Sequence, residues 1–145
     1  MLSLLAALAV LINLGHTACP VGGNTSVLAK SGTPIGTTEV VDSVTSTLYI
    51  TRPPLHISTN VHPDTAILYL SDIFGLDSTA DLLLADSFAR AGYLIVVPDL
   101  FSGSPAPSDL NTPGFNLTLF PSEHSPRVTN PIIASTISFL RSSLN

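Results

Sequence analysis

The 145-residue chain is 45% hydrophobic and only 10% charged, which supplies apolar material for one ordinary domain and argues against disorder. Five Lys and Arg against ten Asp and Glu leave a formal charge of −5. No basic cluster occurs anywhere, so nucleic acid is excluded as a partner.

In chain order, residues 1–18, MLSLLAALAVLINLGHTA, are expected to be a secretory signal peptide. The apolar run 4–12 is too short to span a bilayer and gives way to smaller, more polar residues. No Lys or Arg precedes it, and His16 lies three residues before a cleavage point after Ala18. A membrane anchor or a buried helix is the competing reading. Cleavage would leave residues 19–145 as one partial α/β domain with no stable membrane span, beginning at the lone cysteine, Cys19. One cysteine gives no disulfide framework. The sequons at Asn24 and Asn116 go with secretion and glycosylation.

Residues 19–37, rich in Gly, Ser, Thr and Pro, read as an irregular lead-in. Two β-branched stretches, 39–44 and 47–51 (TLYIT), predict strands that end at Arg52-Pro53-Pro54, because proline cannot donate to a ladder. Residues 55–65 form a polar loop with His56 and His62. The run 66–70 (AILYL) does not alternate, so both of its faces should be covered. A helix follows, with Ser78 and Asp81 as a capping pair and Gly92 as its stop. Residues 93–97 make a second buried strand, closed by Pro98-Asp99. Residues 99–128 hold five prolines and read as a long loop, of the kind that often shapes a site. Asn130 and Pro131 predict the start of a last helix, with Ile133, Ile137, Leu140 and Leu144 on one stripe. The order is that of an α/β protein, with a crossover joining 66–70 to 93–97.

Asp72 and Asp99 each fall just past the carboxyl end of a buried strand, where open α/β sheets bind ligands. Caps and turns favour aspartate at the same places, and position alone leaves both readings standing.

LYLSDIFGL (68–76) followed by LLADSFARAGYLIVVPDLFSG (83–103) resembles the dienelactone hydrolase family of the α/β-hydrolase fold. Looser similarity runs through SGTPIGT and TLYITRP upstream and NPIIASTISFL downstream. The resemblance implies a truncated α/β-hydrolase sheet, mostly parallel, of about four strands with two main helices. It implies hydrolysis of a small ester or lactone by a cysteine nucleophile on a G-x-C-x-G elbow, a histidine base and an orienting aspartate, with no cofactor and no metal. On the same resemblance, the Ile73 backbone N–H matches a donor of the oxyanion hole. Asp72 matches a pocket carboxylate, a glutamate in bacterial members, that contacts the nucleophile. Phe74 and Gly75 shape the turn.

Two departures stand out. Ser102 and Gly103 occupy the place where bacterial members carry an arginine for the substrate carboxylate, and no G-x-C-x-G or G-x-S-x-G occurs in the sequence. In the family the elbow comes one strand after the helix resembling 130–144, and the aspartate and base histidine come later. His56, His62 and His124 lie upstream and read as exposed loop histidines; no cluster completes a metal site around His56 and His62.

The expectation is therefore a hydrolase fragment that holds the oxyanion-hole strand without its nucleophile or triad, inactive alone. Its 66–70 strand should present an unpaired edge prone to self-association. The alternatives are a secreted, non-catalytic interaction protein using that edge, or an enzyme with Ser71 or Ser102 as nucleophile. No histidine is placed in the sequence to activate either serine.

Overall fold

The computed structural model describes residues 5–6, 31–55 and 61–144. Cys19, Asn24, His16, His56 and all of 1–18 except residues 5–6 lie outside the described residues.

The strands are β1 (Leu5–Ala6), β2 (Thr37–Val40), β3 (Thr47–Thr51), β4 (Ala66–Leu68) and β5 (Leu94–Pro98). The helices are α1 (Thr79–Arg90), the short α2 (Phe120–Glu123) and α3 (Pro126–Ser143). The strands form one mixed sheet in the order β1-β4-β5-β3-β2. β4 runs parallel to β5, with Ala66, Ile67 and Leu68 opposite Leu94, Ile95 and Val96. β3 pairs antiparallel with both β5 and β2.

Alternation along the strands builds three layers, because successive side chains leave a strand on opposite faces. Leu48, Ile50, Ala66, Leu68 and Val96 pack on one face with Leu140 of α3. Tyr49, Ile67, Ile95 and Val97 pack on the other with Ala85 and Ala89 of α1. Runs such as Ile95-Val96-Val97 lack alternation because both faces are roofed by a helix. Burying Leu140 completely contributes roughly 1.5–3 kcal/mol. A third apolar cluster, Leu100, Phe101, Ala106, Phe120 and Ile132 with Ile73 and Phe74 against it, closes the carboxyl end of the parallel strands.

Three expectations are corrected. The strand 66–70 ends at Leu68: the Tyr69 N–H still reaches the Val96 carbonyl at 2.9 Å, but Leu70 is 44% exposed. Nor is the outer edge of β4 bare, since Leu5 and Ala6 lie parallel to it, opposite Ile67 and Leu68. By the resemblance, this is the side where the elbow strand belongs. The last helix starts at Pro126 instead of Asn130, with Ser125 as N-cap residue and Pro126 in the first turn, where its missing N–H costs nothing. Pro131 then sits inside the helix and forfeits the bond to the Arg127 carbonyl. Both residues are exposed, where an unpaired carbonyl costs little. The expected loop 99–128 is accordingly broken by α2 and ends at Ser125.

Candidate active site at the exit of β4

The chain leaves β4 at Tyr69 and turns back into α1 within ten residues. Gly75 makes the turn possible. Its φ is +58°, and a Cβ there would meet the Phe101 ring at 3.0 Å and Pro105 at 3.3 Å. Glycine tolerates both the left-handed backbone and the close approach.

Ser78 caps α1 as expected, accepting from the Asp81 N–H at 3.3 Å. In a reciprocal capping box the Asp81 carboxylate would return to the Ser78 N–H. Here that N–H bonds the Gly75 carbonyl, and the Asp81 carboxylate turns toward the loop. One of its oxygens accepts from the Tyr69 hydroxyl at 2.7 Å and the other from the Asp72 N–H at 3.2 Å. Burial, followed by the bond to Asp81, raises the Tyr69 phenol well above its ordinary range.

These bonds bear directly on Ile73. The Asp72 carbonyl accepts from the Gly75 N–H at 3.1 Å. Because a trans peptide is planar with its C=O and N–H opposed, that bond also aims the Ile73 N–H. The next peptide is held at both ends: the Ile73 carbonyl accepts from the Ala106 N–H at 2.8 Å, and the Phe74 N–H donates to the Asp72 carboxylate at 2.9 Å. The Asp72, Phe74 and Gly75 N–H groups are thus all engaged, whereas the Ile73 N–H has no acceptor among the described residues. It is a donor with a fixed direction and no internal partner, which is what stabilisation of a developing oxyanion requires.

Asp72 itself is exposed, and its carboxylate closes a local turn over Phe74, one of the two roles its position allowed. Asp99 is settled more firmly. It is buried, with its two oxygens accepting from the Phe101 N–H at 3.0 Å and the Gly103 N–H at 2.6 Å. It anchors the turn after β5, in which Ser102 adopts a φ of +52°.

Beside Phe74 lies a cavity of about 620 Å³ lined by Ser78, Gly103, Ser104, Pro105 and Ala106 among others. A neighbouring one of about 280 Å³ is lined by Ser104, Phe115, Phe120 and His124.

Neither serine considered as a nucleophile meets a histidine. The Ser71 hydroxyl is buried with no hydrogen-bond partner among the described residues. Exposed Ser102 has no hydrogen bond to a histidine there either. His124 Nδ1 lies 3.1 Å from the Phe120 carbonyl, and its ring packs against Phe101 and Phe120. His62, stacked on Tyr93 at 4.2 Å, belongs to the opposite end of the sheet.

Sequence reasoning read Asp81 only as a capping partner and missed both Tyr69 and Ala106. The twelve-residue separation of Tyr69 and Asp81 gives a faint signal, since it joins a strand exit to a helix start. No local pattern couples Ala106 to Ile73.

The model of the dienelactone hydrolase family matches residues 54–140. Hydrolase pyvD of Aspergillus violaceofuscus is 42% identical over 67% of this chain and 37% of its own length. Hydrolase tropI of Talaromyces stipitatus is 32% identical over 77% of this chain and 44% of its own length. No solved structure is significantly similar to the chain. With the α/β sheet and the β4 exit arranged as described, the chain belongs to the dienelactone hydrolase family. It spans about two fifths of the length of these curated relatives.

Proposed function

We propose that this chain is the oxyanion-hole portion of a dienelactone-hydrolase-like enzyme that cleaves a small ester or lactone. The observation that carries the reading is the fixed, unengaged N–H of Ile73 at the exit of β4. The substrate carbonyl oxygen would sit against that donor, with Phe74 and the 103–106 segment shaping the adjacent cavity. The attacking thiol, its histidine and the orienting aspartate have no counterpart within this sequence, so the chain alone does not turn over ester. Ser102 and Gly103 in place of the arginine argue against a substrate chosen for a free carboxylate.

The test is a chimera in which this chain's residues 31–144 replace the matched segment of hydrolase pyvD. The chain alone should leave p-nitrophenyl acetate hydrolysis at the buffer rate, and the chimera should hydrolyse it. Ile73→Pro in the chimera deletes the donor and should lower kcat about 10²–10³-fold, as loss of one oxyanion-hole donor does elsewhere. Turnover by the chain alone that is abolished by Ser71→Ala or Ser102→Ala would overturn the assignment.

A second reading is favoured by the thin cover on β4, which is two residues of β1. If residues 1–18 act as a cleaved secretory signal, that cover leaves with them. The mature chain would then be a secreted interaction protein, self-associating through the freed edge. The sequons at Asn24 and Asn116 support export. No helix among the described residues is long and apolar enough to cross a membrane.

A further inference from the structure

We infer that Asp81 is a positioning residue for the Ile73 donor, a role that deepens the oxyanion-hole reading and rests on it. Asp81 occupies the third position of α1, and its own N–H is tied to the Ser78 cap. Its carboxylate therefore projects from the capped terminus of α1. From there it grips the loop at two points on either side of Ser71: the Tyr69 hydroxyl at 2.7 Å and the Asp72 N–H at 3.2 Å.

The second bond matters for Ile73. It fixes the 71–72 peptide, which leads directly into the turn closed by the Asp72 carbonyl and Gly75 N–H. Without the Asp81 oxygen, the Asp72 N–H has no acceptor among the described residues, and nothing upstream holds the peptide that carries the Ile73 N–H. The Tyr69 hydroxyl acts one step further away. It bonds the first carboxylate oxygen, while the Asp72 N–H independently bonds the second.

The two partners of Asp81 therefore have separable effects. Loss of the Tyr69 hydroxyl weakens the strand-to-helix link but leaves Asp81 able to hold Asp72. Replacement of the carboxylate by an amide leaves one acceptor for two donors and puts an N–H₂ where an acceptor was. A residue that merely stabilised α1 would make no such distinction.

The experiment uses the chain itself, labelled with ¹⁵N, as Asp81→Asn, Asp81→Ala and Tyr69→Phe. Asp81→Asn is nearly isosteric, which guards against failure of the alanine variant to fold. In Asp81→Asn the Asp72 amide proton should move upfield and exchange faster, and the Ile73 cross-peak should shift or split. The β3 and β5 amides should keep their protection. In Tyr69→Phe the melting temperature should fall while the Asp72 and Ile73 resonances stay in place. Unchanged Asp72 and Ile73 resonances in Asp81→Asn would overturn the inference, as would equal perturbation of both by Tyr69→Phe. Because the readout is the geometry of the loop, an inactive chimera would remove the oxyanion-hole reading and leave this result standing. Failure here would leave the chimera's activity untouched.

Discussion

The Tyr49 hydroxyl donates to the fully buried Asp86 carboxylate at 2.7 Å while accepting the Gly36 N–H, also at 2.7 Å. The second Asp86 oxygen takes the Ile35 N–H at 2.8 Å. Two amides of the lead-in are thereby fastened to β3 and α1 through one polar knot inside an apolar layer. Such a knot is stabilising only while every member is satisfied.

Tyr49→Phe leaves an Asp86 oxygen and the Gly36 N–H without partners. Stranding buried polar groups costs about 1–3 kcal/mol. Urea denaturation should show a lower midpoint with an unchanged m-value, and the Ile35 and Gly36 amides should exchange faster than in the native chain. A midpoint equal to that of the native chain would mean that the lead-in is not anchored through Tyr49.

The same hydroxyl predicts an alkaline weakness. Burial first, then the hydrogen bond to Asp86, raises the Tyr49 phenol above its ordinary 10.0, and burial with Asp81 does the same for Tyr69. A folded-state pKa above the unfolded one means that the native chain holds the proton more tightly. That contribution is complete below pH 10 and is lost as the pH rises from there toward the folded values. Melting temperatures should therefore drop above pH 10, and the drop should be shallower in the Tyr49→Phe, Tyr69→Phe double variant.

Gly75→Ala should destabilise the β4 exit twice over. Left-handed backbone costs an L-residue roughly 1–2 kcal/mol, and the added Cβ must also displace the Phe101 ring, 3.0 Å away. Calorimetry should record a melting temperature several degrees lower. In the chimera, activity should fall further than folding does, since Gly75 closes the turn that aims Ile73.

How much of this was legible in the sequence follows from the range of each interaction. Unalternating runs at 66–70 and 93–97 revealed strands roofed on both faces, though each was drawn too long or shifted at an end, and Ser78 marked the start of α1 correctly, because both signals are local. Ile73 was singled out through the family resemblance that LYLSDIFGL carries, and by no local signal. The site's support was not legible. The grip of Asp81 on Asp72 competes with the capping pattern that the spacing suggests, and the Ala106 bond to Ile73 reaches across all of α1 and β5. Asn130-Pro131 has the look of a helix start, but Ser125-Pro126, five residues upstream, offers the same Pro-in-the-first-turn chemistry and wins. The cover on β4 came from a stretch read as a signal, where hydrophobicity alone cannot distinguish a strand from a leader.

That last ambiguity makes the edge of β4 testable. Leu5 and Ala6 pair with Ile67 and Leu68, so a chain lacking residues 1–18 loses the pairing and presents unbonded N–H and C=O groups beside a core strand. Exposed edges of this kind recruit a further strand. Sedimentation should find the shortened chain larger than a monomer, and the full chain less associated at equal concentration. Leu70→Lys, at an exposed position just past β4, should return the shortened chain to a monomer, because a charge at a strand's end opposes edge-to-edge pairing. A shortened chain that stays monomeric and melts cooperatively would show that two residues of β1 are dispensable. The interaction-protein reading would fall with it, since that reading needs an edge that binds.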